Sequence, residues 1–355
     1  MYVPPRPRRE DDPWFALRLG LCVVASFAAM AWLNPALGTM VAVLPFGLLA
    51  GQRKAFSFRI IAAPIMFGLV IWVMAALVAV VRPTPALLML VMLLLFFVAF
   101  YLTRRTGSGV GMLILVAAMM MSIAGMKTPA LLNVFRDGFL LGCGVALVIN
   151  PLLYLVVPSA TREVHVDAPR PAAGHHGAGS LIRALVVFGL CFWFYAVLPP
   201  SDIILAISAI FPLIFPTRQE AFAEAVERSL ATFYGAGAAV AVLMVMTVSG
   251  SFALLLCLVF VVTFLFGERM INGPRSASVY QFATSVAIGV VATVLTSGSP
   301  STAVIGRIVL TLLGSLGAAL LIALLDRVFL APIQDPDDHS PHPAIQRWKW
   351  AKELM

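Results

Sequence analysis

Apolar runs of about the length needed to cross a bilayer recur along the whole chain, separated by short segments rich in Pro, Gly, Ser and charge. In the first half they fall near 14–33, 36–51, 58–81, 84–102, 109–126 and 131–157. In the second they fall near 180–198, 202–216, 222–248, 251–267, 275–297 and 302–331. Strands of a membrane barrel would alternate polar and apolar positions, and these runs do not. The pattern predicts an all-α polytopic membrane protein with about twelve transmembrane helices. A stub at 1–13, a linker at 158–179 and a tail at 332–355 lie outside the two membrane segments, 14–157 and 180–331.

The second run of each half is short and interrupted. Pro35 and Pro45 mark the first copy, and Pro200 and Pro212 the second. Paired broken segments expose backbone groups that must face protein or water, so they point to a transport site; the alternative is a hairpin that stops short of spanning.

Other landmarks also recur. Arg18 is matched by Arg183 and Pro35 by Pro200 at one offset. Arg59 with Gly68 is matched by Arg228 with Gly237, at an offset about one helical turn longer. Four ordered matches in the same hydropathic setting indicate an internal duplication. Six spans is an even number, so the halves enter the membrane in the same direction and the six-helix repeat is parallel.

Composition strengthens the membrane assignment. The chain is 61% hydrophobic and 11% charged, with a mean hydropathy of +0.99. The net charge of +8 is explained by basic cytoplasmic loops rather than by nucleic acid. Of 24 Lys and Arg, only Arg82, Lys127, Arg136 and Arg307 fall outward on this map, which puts both termini in the cytoplasm. Cys22, Cys143, Cys191 and Cys257 sit singly in apolar runs and read as packing residues. All five histidines lie in the linker or tail, where His175 and His176 read as loop. Neither a metal site, a cofactor site nor a catalytic constellation is expected, and the chain is not read as an enzyme.

The candidate chemistry is cationic. Arg18, Arg59, Arg183 and Arg228 lie near helix starts, and Arg136 and Arg307 open the sixth helix of each half. An arginine in a span must snorkel, pair or line water. Symmetric guanidinium groups around a central path would attract carboxylates. Asp137 is a candidate proton relay, or the local partner of Arg136 or Lys127. Glu220, Glu224 and Glu227 read as a solvated or dipole-favoured face. Tyr280 and Gln281, with Ser276 and Ser278, polarise the eleventh span, for packing or for a pathway. Its first-half counterpart opens with Gly107-Ser108-Gly109-Val110-Gly111.

The layout resembles a known family. A basic stub leads to Trp14-Phe15-Ala16-Leu17-Arg18, a short Pro-marked helix follows, and Arg59 opens the third. Arg136-Asp137 begins the sixth, and Arg307 leads to Gly314 in the last. This arrangement is similar to the fusaric-acid-resistance and aromatic-acid-exporter family, in a short branch without large cytoplasmic domains. The resemblance implies export of aromatic or other organic carboxylic acids across the bacterial inner membrane, beside an HlyD-like membrane-fusion protein. It makes Arg59, Arg228, Arg136 and Arg307 pathway residues. The more distant plant aluminium-activated malate transporters, which resemble one half, imply a homo-oligomer as a further expectation.

The leading expectation is thus a secondary exporter of organic anions driven by proton-motive force. A passive organic-anion channel and a non-transporting membrane scaffold are the competing readings.

Overall fold

A computed structural model describes residues 7–52, 55–107, 109–163, 176–197 and 218–297. Among these residues there are ten helices and no strand: α1 Phe15–Leu33, α2 Gly38–Ala50, α3 Arg59–Val81, α4 Pro85–Thr106, α5 Val110–Lys127, α6 Pro129–Val156, α7 His176–Val197, α8 Arg218–Val248, α9 Phe252–Asn272 and α10 Ala277–Ser297. Nine are long and apolar enough to cross a membrane; α2 is shorter. The expected spans at 202–216 and 302–331 lie outside the described residues.

Local chemistry sets the helix boundaries. Asn34 takes a left-handed φ of 42° and closes α1, its N–H bonded to Met30 O; Pro35 follows. Gly107, at φ 68°, stops α4 in the same way through Thr103 O. Thr128 caps α6 by accepting from Leu131 N at 3.0 Å, and Pro129 occupies the first helical position. Four boundaries differ from the sequence pattern by four residues or more: α8 starts earlier, at Arg218, and α9 ends later, at Asn272, and the other two are at α4 and α7. α4 runs on through Arg104 and Arg105, because basic residues suit a helix C-terminus and the stop signal is Gly107. α7 begins at His176, so His176 belongs to a helix rather than to the linker loop.

One buried cluster joins α3, α4, α5, α6 and α7; another joins α1, α2, α6, α8, α9 and α10. α5 is enclosed on all sides, with every residue from Leu115 to Gly125 buried. Outward-facing side chains such as Ile65, Leu69, Trp72, Leu90, Leu94, Val148, Leu152 and Leu265 are apolar and exposed. Lipid accepts such a surface where water would not.

The halves interlock reciprocally. α1, which opens the first half, packs along α9; α4 packs along α7, which opens the second. Direction follows from specific neighbours. Arg18 near the start of α1 meets Val157 at the end of α6, and Arg104 near the end of α4 lies against Gly179 near the start of α7. Gly267 near the end of α9 abuts Ala16. The starts of α1 and α7 therefore share one end of the bundle, here termed the basic end, and both helices run the same way.

Candidate functional site

At the basic end α8 and α10 come together over a glycine. A Cβ on Gly235 would collide with Ala283 O and stand 2.7 Å from Val286 Cβ, so no larger residue fits this crossing. The crossing lines up the first apolar turns of the two helices. Arg228 is 5% exposed, with its guanidinium 3.5 Å above the Phe282 ring. A desolvated guanidinium is attracted to an aromatic face and keeps its planar edge suited to a carboxylate. The preceding residue, Glu227, is half-buried and reaches the start of α10. It accepts hydrogen bonds from Ser276 Oγ at 2.6 Å and Ser278 Oγ at 3.3 Å, and the two hydroxyls lie 2.9 Å apart. Tyr280 is buried, and its hydroxyl accepts from Arg275 N at 3.4 Å. Gln281 is half-buried on the same helix.

The corresponding place in the first half is different. Arg59 is exposed at the start of α3 and follows the exposed Phe58. Gly109 and Gly111 open α5 where Ser276 and Ser278 open α10. Gly111 is pressed against Ala99 O and Thr103 Oγ1 of α4, so this position serves close packing. The two arginines that mark the repeat thus occupy unlike surroundings.

Arg18 and Arg183 are each 1% exposed and do not snorkel. Arg18 is ion-paired to buried Asp12, donates to Val157 O at 3.0 Å and sits 3.9 Å from the centre of the Tyr154 ring. Arg183 donates to Gly179 O at 3.1 Å. Arg136 and Asp137 form a 2.8 Å pair at the other end, with the Asp137 side chain 63% exposed. Pro35 lies in the turn between α1 and α2, and Pro45 is inside α2. Pro200, Pro212 and Arg307 lie outside the described residues.

Three residues here were not singled out from the sequence. Asn150, 1% exposed, donates to Pro45 O at 3.2 Å and lies 3.5 Å from Cys22 Sγ, tying α6 to α2 and α1. Its signal is an amide beside Pro151 in an otherwise apolar run. Arg104, counted among loop charges, is 5% exposed at the α4–α7 junction. Phe282 gives no signal beyond its spacing from Tyr280. Elsewhere, a groove of about 330 Å³ between α3 and α6 is lined by apolar residues including Pro64, Gly68, Trp72 and Cys143. With no charged side chain in its wall, it suits a lipid chain rather than an anion.

Residues 186–321 match a family model described as fusaric acid resistance protein-like. The match is confined to that segment, less than half of the chain. No curated protein and no solved structure matches the chain. The family segment contains all of α8, α9 and α10, and with them Glu227, Arg228, Ser276, Ser278, Tyr280 and Phe282. Arg18 and Arg59 precede it. The chain is a multi-pass membrane protein carrying the segment of a transport and resistance family.

Proposed function

We propose that this chain is an inner-membrane secondary exporter of organic, chiefly aromatic carboxylic, acids. The observation that carries the reading is Arg228, buried on the Phe282 face within the family segment. A guanidinium held there is a carboxylate receptor at the end of the bundle that the loop charges place in the cytoplasm. The reciprocal packing of α1 on α9 and α4 on α7 supports two parallel six-helix repeats, twelve helices in all. Arg59, Arg136 and Arg307 complete the proposed path, with Arg18 and Arg183 closing its flanks. Proton-motive force is the proposed energy source: an inside-negative potential favours anion exit by about 2.3 kcal/mol per charge per 100 mV. An HlyD-like membrane-fusion protein is the proposed partner.

Growth in aromatic acid tests the reading. Cells expressing the wild-type chain are expected to tolerate more benzoate than cells without it. Arg228→Ala is expected to weaken apparent affinity by about 10-fold or more, the value of a charge-assisted hydrogen bond. Arg59→Ala, at an exposed site, is expected to do less. Full tolerance in the double variant, at equal membrane abundance, removes both arginines from the path.

A further inference from the structure

The groove between α3 and α6 lies at the depth of a bilayer's acyl chains. Its α3 wall runs from Pro64 to Trp72 and its α6 wall from Leu140 to Leu147. α3 starts at the basic end, where Ala55 N donates to Glu163 O and the Phe56 ring meets Tyr154 of α6 edge-on. At about 1.5 Å per residue, the groove begins roughly 8 Å past the start of α3 and ends roughly 20 Å past it. Both limits fall inside a hydrocarbon core about 30 Å thick. On either side the wall already faces lipid. Phe58, Ile65, Leu69 and Trp72 form one exposed apolar stripe on α3, and Val148, Leu152 and Leu155 form another on α6. Glycine makes the recess between them. A Cβ on Gly68 would stand 3.5 Å from Leu140 Cδ2 and 3.7 Å from Cys143 Cβ, so Gly68 is the floor where the helices meet. A Cβ on Gly144 would meet nothing within 4 Å, so Gly144 borders open space.

Size and chemistry select the occupant. Spread over a length of about 12 Å, a volume of about 330 Å³ makes a channel about 6 Å across. A neighbouring helix, about 10–12 Å in diameter with its side chains, is too wide to enter. One polymethylene chain fits, with wall carbons at contact distances of about 3.5–4.0 Å. An aromatic acid would bring its carboxyl group to a wall that holds no charged, hydroxyl or amide side chain, and burying an unpaired polar group is costly.

We propose that the α3–α6 groove is a binding site for one acyl chain of a phospholipid in the leaflet at the basic end. The bound chain fills the recess and completes the apolar surface between the two exposed stripes. The site requires only that α3 and α6 lie in a bilayer, so it stands apart from the exporter reading.

Phosphatidylglycerol carrying a diazirine midway along one acyl chain, mixed into proteoliposomes of the full chain, tests the proposal. After illumination, the adducts are mapped by mass spectrometry of peptides. In wild type they are expected to concentrate at 64–72 and 140–147, above similarly exposed apolar positions of α4 such as Leu90 and Leu94. Gly144→Leu places a side chain in the open recess and is expected to lose most groove adducts while keeping those on α4. Val148→Leu, on the same helix but outside the groove, is expected to keep both. Even labelling of α3, α4 and α6, or groove labelling unchanged by Gly144→Leu, overturns the site. Loss of groove adducts in excess benzoic acid assigns the recess to substrate, and groove positions shielded from lipid in a cross-linked dimer assign it to a second copy; either result overturns the acyl-chain site. No transport enters this readout, so failure of the exporter reading leaves the site standing.

Discussion

Arg18→Leu is expected to lower the stability of the folded chain by about 3–5 kcal/mol, the usual cost of removing one partner from a buried ion pair. The substitution leaves the Asp12 carboxylate, itself 1% exposed, without its guanidinium. It also removes the donor to Val157 O at the end of α6 and the cation resting on Tyr154. Arg18 thereby ties the segment before α1 to the end of the sixth helix, the two limits of the first half. Thermal unfolding in detergent, read by fluorescence-detected size exclusion, should show a large loss of folded material. Combining Arg18→Leu with Asp12→Asn should recover part of that loss, because no charge is then stranded. Unchanged melting of the single variant would show that the pair is not structural.

Gly235→Leu is expected to separate α8 from α10 and abolish transport. A side chain at this crossing has to displace the backbone at Ala283 as well as Val286. Overpacking of a close-packed site costs about 1–3 kcal/mol, and a backbone clash leaves little scope for relief by rotamers. The same displacement pulls Glu227 from Ser276 and Arg228 from Phe282, so function should fail before the fold does. Gly144→Leu is the matched control: a Cβ there meets nothing within 4 Å, and the position borders the apolar groove between α3 and α6. It should leave stability and tolerance near wild type. Equal behaviour of the two variants would remove the significance given to the α8–α10 crossing.

Membrane helices were legible in the sequence because burial in lipid requires long apolar runs, and the stops are written locally in Asn34-Pro35, Gly107 and Thr128-Pro129. The side-chain partnerships were not legible, because they depend on tertiary neighbours. Glu227 shares helical spacing with Glu220 and Glu224 and looks like one stripe of a solvated face. Its serine partners lie 49 and 51 residues away. Arg18 has the position of a snorkelling residue, yet its acceptor Val157 is 139 residues distant. Arg104 looked like loop charge because the apolar run ends before it, whereas α4 continues to Thr106. Arg59 and Arg228 were legible as a pair, but not their difference in burial: Arg59 is exposed, whereas Arg228 is buried on the ring of Phe282, 54 positions further along the chain.

Efflux of radiolabelled benzoate from proteoliposomes under an imposed inside-negative potential tests the exporter reading most directly. Saturable efflux above that of protein-free vesicles is expected, accelerated by the potential and strongly reduced by Arg228→Ala. Efflux indistinguishable from protein-free vesicles at every potential and internal pH would contradict it.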